Sequence, residues 1–176
     1  MCRGCIIVRM PGWMIKIGYE YDKVGQERGD AGVDTFKITK PVRLVEGFAG
    51  IGAQAMALRD LGVDFEYWKT SDWDIWATKS YKAIHHGDDN TDYSEGMTKE
   101  ELVDALCDLC ISSDGKSPMT REQITRKSEK WLRETYNDFK ATHNLGSITN
   151  IHAEDLEIGG DAERNEYVTI LTYSFP

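Results

Sequence analysis

The run Gly47-Phe48-Ala49-Gly50-Ile51-Gly52 places glycines where a strand would hand over to a helix. Glycine there lets the backbone approach a ligand closely, and the free N–H groups at the start of the helix attract polar or anionic groups. Gly50-Ile51-Gly52-Ala53-Gln54-Ala55 also fits the loose dinucleotide pattern, with alanine in the third place. The same turn could do no more than pack a strand on a helix, so alone it decides little. About twenty residues further on, at the end of a second strand, stands Ser71-Asp72-Trp73-Asp74. A carboxylate at that place can accept hydrogen bonds from both hydroxyls of a ribose. Trp73 beside it offers a flat face for an adenine ring. The plainer reading makes Asp72 a helix N-cap and Trp73 a core residue. Turn, acid and tryptophan together predict an adenosine-containing cofactor, without separating a nicotinamide dinucleotide from S-adenosyl-L-methionine.

These residues need elements to hold them. Val42-Arg43-Leu44-Val45 reads as the strand that delivers the turn. The helix after it runs from Ala53 to Leu61, with Ala53, Met56, Ala57 and Leu61 on one face and Gly62 as its stop. Residues 63–70 carry Val63, Phe65, Tyr67 and Trp68 and read as the next strand. Residues 72–85 form a second helix with Trp76, Tyr81 and Ile84 as packing positions. Strand, turn, helix, strand, helix is the start of a parallel sheet. Two capping boxes, Thr98-Lys99-Glu100-Glu101 and Thr120-Arg121-Glu122-Gln123, open a further pair of helices, the second running to about His143. This pair, over residues 97–143, interrupts the sheet rhythm as an insertion. Strands resume at Ser147-Ile148-Thr149-Asn150-Ile151 and at Tyr167-Val168-Thr169-Ile170-Leu171-Thr172. Residues 1–40 lack clear periodicity and read as an N-terminal extension with a short hairpin around residues 14–21.

With 176 residues, 40% hydrophobic and 29% charged, the chain has the make-up of one globular domain. It has no apolar run long enough to span a membrane and no convincing secretory signal, which predicts a cytoplasmic protein with no membrane partner. A net charge of −9 argues against nucleic-acid binding by these residues, unless a basic surface lies elsewhere in a longer protein. The four cysteines form the pairs Cys2/Cys5 and Cys107/Cys110. About a hundred residues part the pairs, far beyond a zinc-ribbon spacing. Cys107 and Cys110 also fall on the apolar face of a helix, so they read as small packing residues and no metal is expected.

Read together, these segments resemble the DNA cytosine-5 methyltransferases. Phe48-Ala49-Gly50-Ile51-Gly52 is similar to the family's first motif, and Asp72-Trp73-Asp74 with Trp76-Ala77 and Lys79-Ser80-Tyr81 to its second. Gly146-Ser147-Ile148-Thr149-Asn150-Ile151 resembles the third, Gly-Asp-Ile-Thr-x-Val. Leu171-Thr172-Tyr173-Ser174-Phe175-Pro176 looks like the run-up to its Pro-Cys-Gln. The resemblance covers residues 41–176 and implies a Rossmann-like α/β fold: an incomplete parallel sheet with an inserted helical pair, and no target-recognition domain. It further implies that Phe48, Gly50, Ile51 and Gly52 line the methionine and ribose of S-adenosyl-L-methionine. Asp72 would hold the ribose, Trp73 and Ile148 would pack on the adenine, and Pro176 would border both cofactor and flipped cytosine. Ser147 stands where the family has an aspartate; its hydroxyl accepts without charge, which lowers the expected affinity.

In this family a cysteine thiolate adds to C6 of a cytosine swung out of double-stranded DNA, and C5 then takes the methyl group. The nucleophile would follow Pro176, and none of the four cysteines matches it. The expectation is therefore a fragment of a DNA (cytosine-5-)-methyltransferase, from a restriction–modification system or a phage, inactive alone. The sheet would have one open edge and poor solubility. The alternatives are a split cofactor-binding subunit completed by a C-terminal segment, and an NAD-dependent oxidoreductase.

Overall fold

The computed structural model describes residues 40–159 and 166–173, together with two N-terminal strands as backbone, β1 (Cys5–Met10) and β2 (Trp13–Gly18). Val42, Leu44 and Ile170 supply the apolar side of two neighbouring strands, β3 (Val42–Gly47) and β5 (Val168–Tyr173). They pack on Ala55 and Leu58 of helix α1 (Ala53–Asp60) to make the sheet core. β4 (Phe65–Ser71) flanks β3 on the other side. The sheet order is β2-β1-β5-β3-β4. β5, β3 and β4 run parallel, and β1 is antiparallel to both β2 and β5. Parallel neighbours need long crossovers. α1 supplies the first, and α2 (Ile75–His85) with the inserted helices lies on the route from β4 to β5. This is the Rossmann-like α/β fold expected from the sequence. β3 has its successor on one side and β5 on the other, so the glycine turn sits at the switch point where open parallel sheets bind ligands.

The insertion has its own core of Ile75, Leu102, Val103, Leu106, Ile111, Ile124, Leu132 and Phe139. Both capping boxes are present, on α3 (Lys99–Asp108) and α4 (Arg121–Thr125). The helix expected to run on to His143 is broken. Ser128 accepts from the Trp131 N–H and starts a separate α5 (Glu129–Ala141), a local bond that a serine makes in preference to continuing a helix.

Other expectations are corrected. In α1 the buried face is Ala55 and Leu58, while Met56 and Leu61 are 37% and 59% exposed, with Ala53 and Ala57 also outward. The phase is set from β3, where the Glu46 carboxylate accepts from the Ala55 N–H and turns that side of the helix inward. α2 starts at Ile75, because Asp74 rather than Asp72 caps it by accepting from Trp76 and Ala77. That start buries Ile75, Thr78 and Tyr81 and leaves Trp76 and Ile84 exposed. The run at 147–151 is not a strand but a 3-10 turn, Ile148–Asn150. Gly146, at φ 78°, swings the chain away from the sheet after a single parallel bridge between Asn144 and Thr70.

The N-terminal hairpin starts earlier than expected, with Cys5 opposite Gly18 and Met10 opposite Trp13. β1 pairs along β5 from Cys5–Tyr173 to Val8–Ile170, so the edge expected to be open is occupied. Cys107 packs on the insertion core, as its position on the helix predicts. Burial pushes its thiol above the ordinary cysteine value. Cys110 lies just beyond α3 at φ 50°, its sulfur 2.9 Å from Asn150 Nδ2. Among the described residues no His, Cys, Asp or Glu cluster suits a metal ion. None of their helices is long and apolar enough to cross a membrane.

Candidate cofactor site

The turn after β3 takes three left-handed residues: Phe48 at φ 53°, Gly50 at 55° and Gly52 at 78°. Phe48 carries a side chain in a conformation that usually costs about 1–2 kcal/mol, so something must hold it. The neighbouring strand end does so. Ala49 N–H donates to Ser71 O at 3.1 Å, and Gly52 N–H to Ala49 O at 2.8 Å.

Asp72 reaches the same turn. Its Oδ2 accepts from Gly50 N–H at 2.8 Å and its Oδ1 from Asp74 N–H at 2.9 Å. Asp72 is thus no helix cap; its carboxylate lies against the glycine turn. Burial pushes that carboxyl above the usual aspartate value, against the lowering effect of the two N–H groups.

The two glycines differ in what their missing side chains allow. A Cβ on Gly50 would meet nothing within 4 Å, so this side of the turn is open. A Cβ on Gly52 would overlap His85 Nε2 and lie 2.7 Å from Tyr81 Cε2. Gly52 therefore makes room for α2, and the space beside Gly50 is open.

The third motif comes over the end of β4. Ser71 Oγ–H donates to Gly146 O at 3.0 Å, and Ser147 N–H to Leu109 O at 3.0 Å. Ser147 is buried, its hydroxyl 2.8 Å from Thr149 Oγ1 as the cap of the 3-10 turn. Ile148 is 44% exposed and Trp73 half-buried. A cavity of about 230 Å³ opens beside them, lined by Val45, Gly47, Ser71, Leu145, Ile148 and Leu171 among others. It takes in Ile148 but not Asp72 or Trp73, and so adjoins the turn rather than covering it. Pro176 lies outside the described residues.

Sequence reasoning missed three supporting residues. Asn144 Oδ1 accepts from Asp72 and Gly146 N–H, and its Nδ2 donates to Asp72 O and Thr78 Oγ1. One buried amide thus ties the acid, α2 and the third motif together. His85 Nε2 lies 3.0 Å from Ile51 O in the turn. Glu46, 1% exposed, accepts from Ala55 N–H at 3.2 Å and from Tyr81 O–H at 2.6 Å. Its signal was visible as a lone acid in an otherwise apolar strand end, where a charge must be paired.

Burial pushes Glu46 up to about 6 from 4.5. The folded state therefore holds a proton that the unfolded chain has released. The stabilisation from that proton is full below pH 4.5 and is lost as pH rises through about 6, a change of about 2 kcal/mol. Glu46→Gln keeps an acceptor for Ala55 and a polar partner for Tyr81 without charge. Urea unfolding at pH 8 should find the variant more stable than the unsubstituted protein by up to about 2 kcal/mol, with the gap closing by pH 4.5. A gap independent of pH would refute this assignment.

No family model matches the chain. It is similar to "Orphan methyltransferase M.SssI" of Spiroplasma monobiae, 32% identical over 139 residues, which is 78% of this chain and 34% of that protein. It is also similar to "Orphan methyltransferase M.Rho11sI" of Bacillus phage rho11s, 41% identical over 54 residues, 31% of this chain and 11% of that protein. The match thus spans about a third of the length of the first relative, 34%.

Proposed function

The chain belongs to the DNA cytosine methyltransferase family, and from that premise we propose that residues 41–176 hold S-adenosyl-L-methionine for methylation of C5 of cytosine in double-stranded DNA. The single observation that carries the reading is the 2.8 Å hydrogen bond from Gly50 N–H to Asp72, which joins glycine turn and acid at the sheet's switch point. The residues fit the group: Gly50 leaves its side of the turn open, and Asp72 retains lone pairs for a ribose diol. When bound, S-adenosylmethionine supplies a methyl group on a sulfonium. Phe48, Gly50 and Ile51 line its methionine and ribose side, and Gly52 holds the turn's shape. Trp73 and Ile148 flank the adenine, and Ser147 supplies an uncharged acceptor nearby.

These residues supply the cofactor and not the nucleophile. Leu106 precedes Cys107 and Leu109 precedes Cys110, so neither stands in a Pro-Cys setting, and both serve packing or the end of α3. A complementing segment would add beyond β2 or β4, or displace β1 from β5.

Titration calorimetry of this chain with S-adenosylhomocysteine and with NAD separates the two adenosine cofactors. Binding of the former at least about a hundredfold tighter is expected, because the proposed site takes the methionine part that NAD lacks. A preference for NAD would overturn the reading.

A further inference from the structure

Gly52 is left bare for a side chain, not for a ligand. The space that a Cβ would need is taken by the His85 imidazole at the end of α2. From there His85 reaches three other elements. Its Nε2 is 3.0 Å from the carbonyl oxygen of Ile51, inside the turn. Its Nδ1 is 3.3 Å from the Tyr67 hydroxyl on β4 and 3.4 Å from Arg59 Nη1 on α1.

The partners dictate the tautomer. A carbonyl only accepts, so Nε2 carries the hydrogen. Nδ1 is then the acceptor, and both groups facing it are donors. The neutral ring satisfies every contact. A second proton, on Nδ1, would point an N–H at the Arg59 guanidinium and leave the Tyr67 hydroxyl without its acceptor. Among the described residues, the titratable groups around the ring are Arg59 from α1, Tyr67 from β4, Tyr81 from α2 and His86 just beyond its end. No carboxylate stands among them to favour the charged form. Burial, then the charge of Arg59, holds His85 below the ordinary histidine value.

Ile51 lies between Gly50, whose N–H is fixed by Asp72, and Gly52, whose N–H closes the turn on Ala49. Rotating the Ile51 carbonyl would disturb both. We propose that His85 is a positioning residue of the glycine turn, its neutral ring fixing the Ile51 carbonyl so that the turn keeps the shape that takes the methyl donor. This rests on the reading of the turn as that donor's site. The consequence is an affinity that falls in acid, because a proton on Nδ1 is repelled by Arg59 and costs Tyr67 its acceptor, which displaces the ring that carries the Nε2–H to Ile51.

Two variants separate the roles. His85→Gln keeps an N–H donor of similar reach but does not titrate. His85→Leu keeps bulk and loses the donor. At pH 7.5, S-adenosylhomocysteine should bind the Leu variant about tenfold more weakly and the Gln variant within about threefold of the unsubstituted chain. Asp72 and Glu46 also titrate in acid, so the informative quantity is the affinity ratio of the Gln variant to the unsubstituted chain. That ratio should rise as pH falls from 7.5 through the depressed His85 value. Without ligand, the backbone N–H groups of Gly50 and Gly52 should exchange with deuterium about tenfold faster in the Leu variant, with those of α5 unchanged.

A pH-independent ratio, or turn exchange in the Leu variant equal to that of the unsubstituted chain, overturns the proposal. If no protein binds S-adenosylhomocysteine, the cofactor reading fails, and the exchange rates alone decide the role of His85. If the Leu variant does not fold, the pH-dependent ratio and the exchange of the Gln variant, expected to match the unsubstituted chain at pH 7.5, decide it.

Discussion

Asp72→Ala is expected to weaken S-adenosylhomocysteine binding about a hundredfold while the chain stays folded. A carboxylate has about four lone-pair positions. Gly50 and Asp74 N–H groups use two of them, which leaves the rest for two ribose hydroxyls. Hydrogen bonds to a charged acceptor contribute about 1.5–3 kcal/mol each, so two of them account for about two orders of magnitude or more. Asp72→Asn should be milder, about tenfold, because its amide oxygen still accepts while its NH2 group faces donors. The effect is specific to the diol. A 2′,3′-dideoxy analogue should lose affinity for the unsubstituted chain but little further for the Ala variant. The pH dependence follows from burial, which raises the Asp72 carboxyl. Binding is strongest above that raised value and falls as pH drops through it, earlier than for an exposed aspartate. Calorimetry with both ligands on both proteins checks all of this. Equal affinity of the Ala variant and the unsubstituted chain would remove Asp72 from the site and leave its bond to Gly50 a purely structural one.

The legible and illegible parts of this molecule divide by sequence distance. Glycines at 50 and 52 announce a turn because the left-handed region is costly for other residues, and Asp72 announces itself by its place at a strand end. Thr98 with Glu101 and Thr120 with Gln123 could be read because a capping box is complete within four residues. The face of α1 could not. Ala53, Met56, Ala57 and Leu61 make as good a stripe as Ala55 and Leu58, and the choice is made by Glu46 of another element. Trp76 and Ile84 were misplaced for the same reason: the start of α2 at Asp74 fixes its phase. Asn144 acts only through groups that the fold brings to it, and His85 through a gap that Gly52 leaves. The pairing of β1 with β5 joins the two ends of the chain, where no local pattern reports the partner. What spans segments is supplied by packing, and packing is where the site gets its shape.

Gly146→Ala should destabilise the fold most, by about 4 kcal/mol. Gly146 sits at φ 78°, where an alanine alone costs about 1 kcal/mol. The added Cβ would overlap the Leu109 carbonyl oxygen and lie 2.9 Å from that residue's carbonyl carbon and Cα. Those are backbone atoms at the end of α3, which cannot move aside as a flexible side chain would, so the loop must shift. The shift strains Ser147 N–H to Leu109 O, Ser71 Oγ–H to Gly146 O and Gly146 N–H to Asn144 Oδ1, each worth about 1 kcal/mol. Gly50→Ala is the internal control. It has a similar φ of 55° but open space around the new methyl, and should cost only about 1 kcal/mol. Urea midpoints for the two variants therefore separate packing from backbone strain, and equal midpoints would refute the packing term. The site should feel the change as well. Asn144 Oδ1 also accepts from Asp72 N–H, so moving Gly146 loosens the backbone that aims the Asp72 carboxylate. Where Gly146→Ala remains folded, its affinity for S-adenosylhomocysteine should fall about tenfold though residue 146 need not touch the ligand, and full affinity would show that Asn144 holds Asp72 without help from the loop.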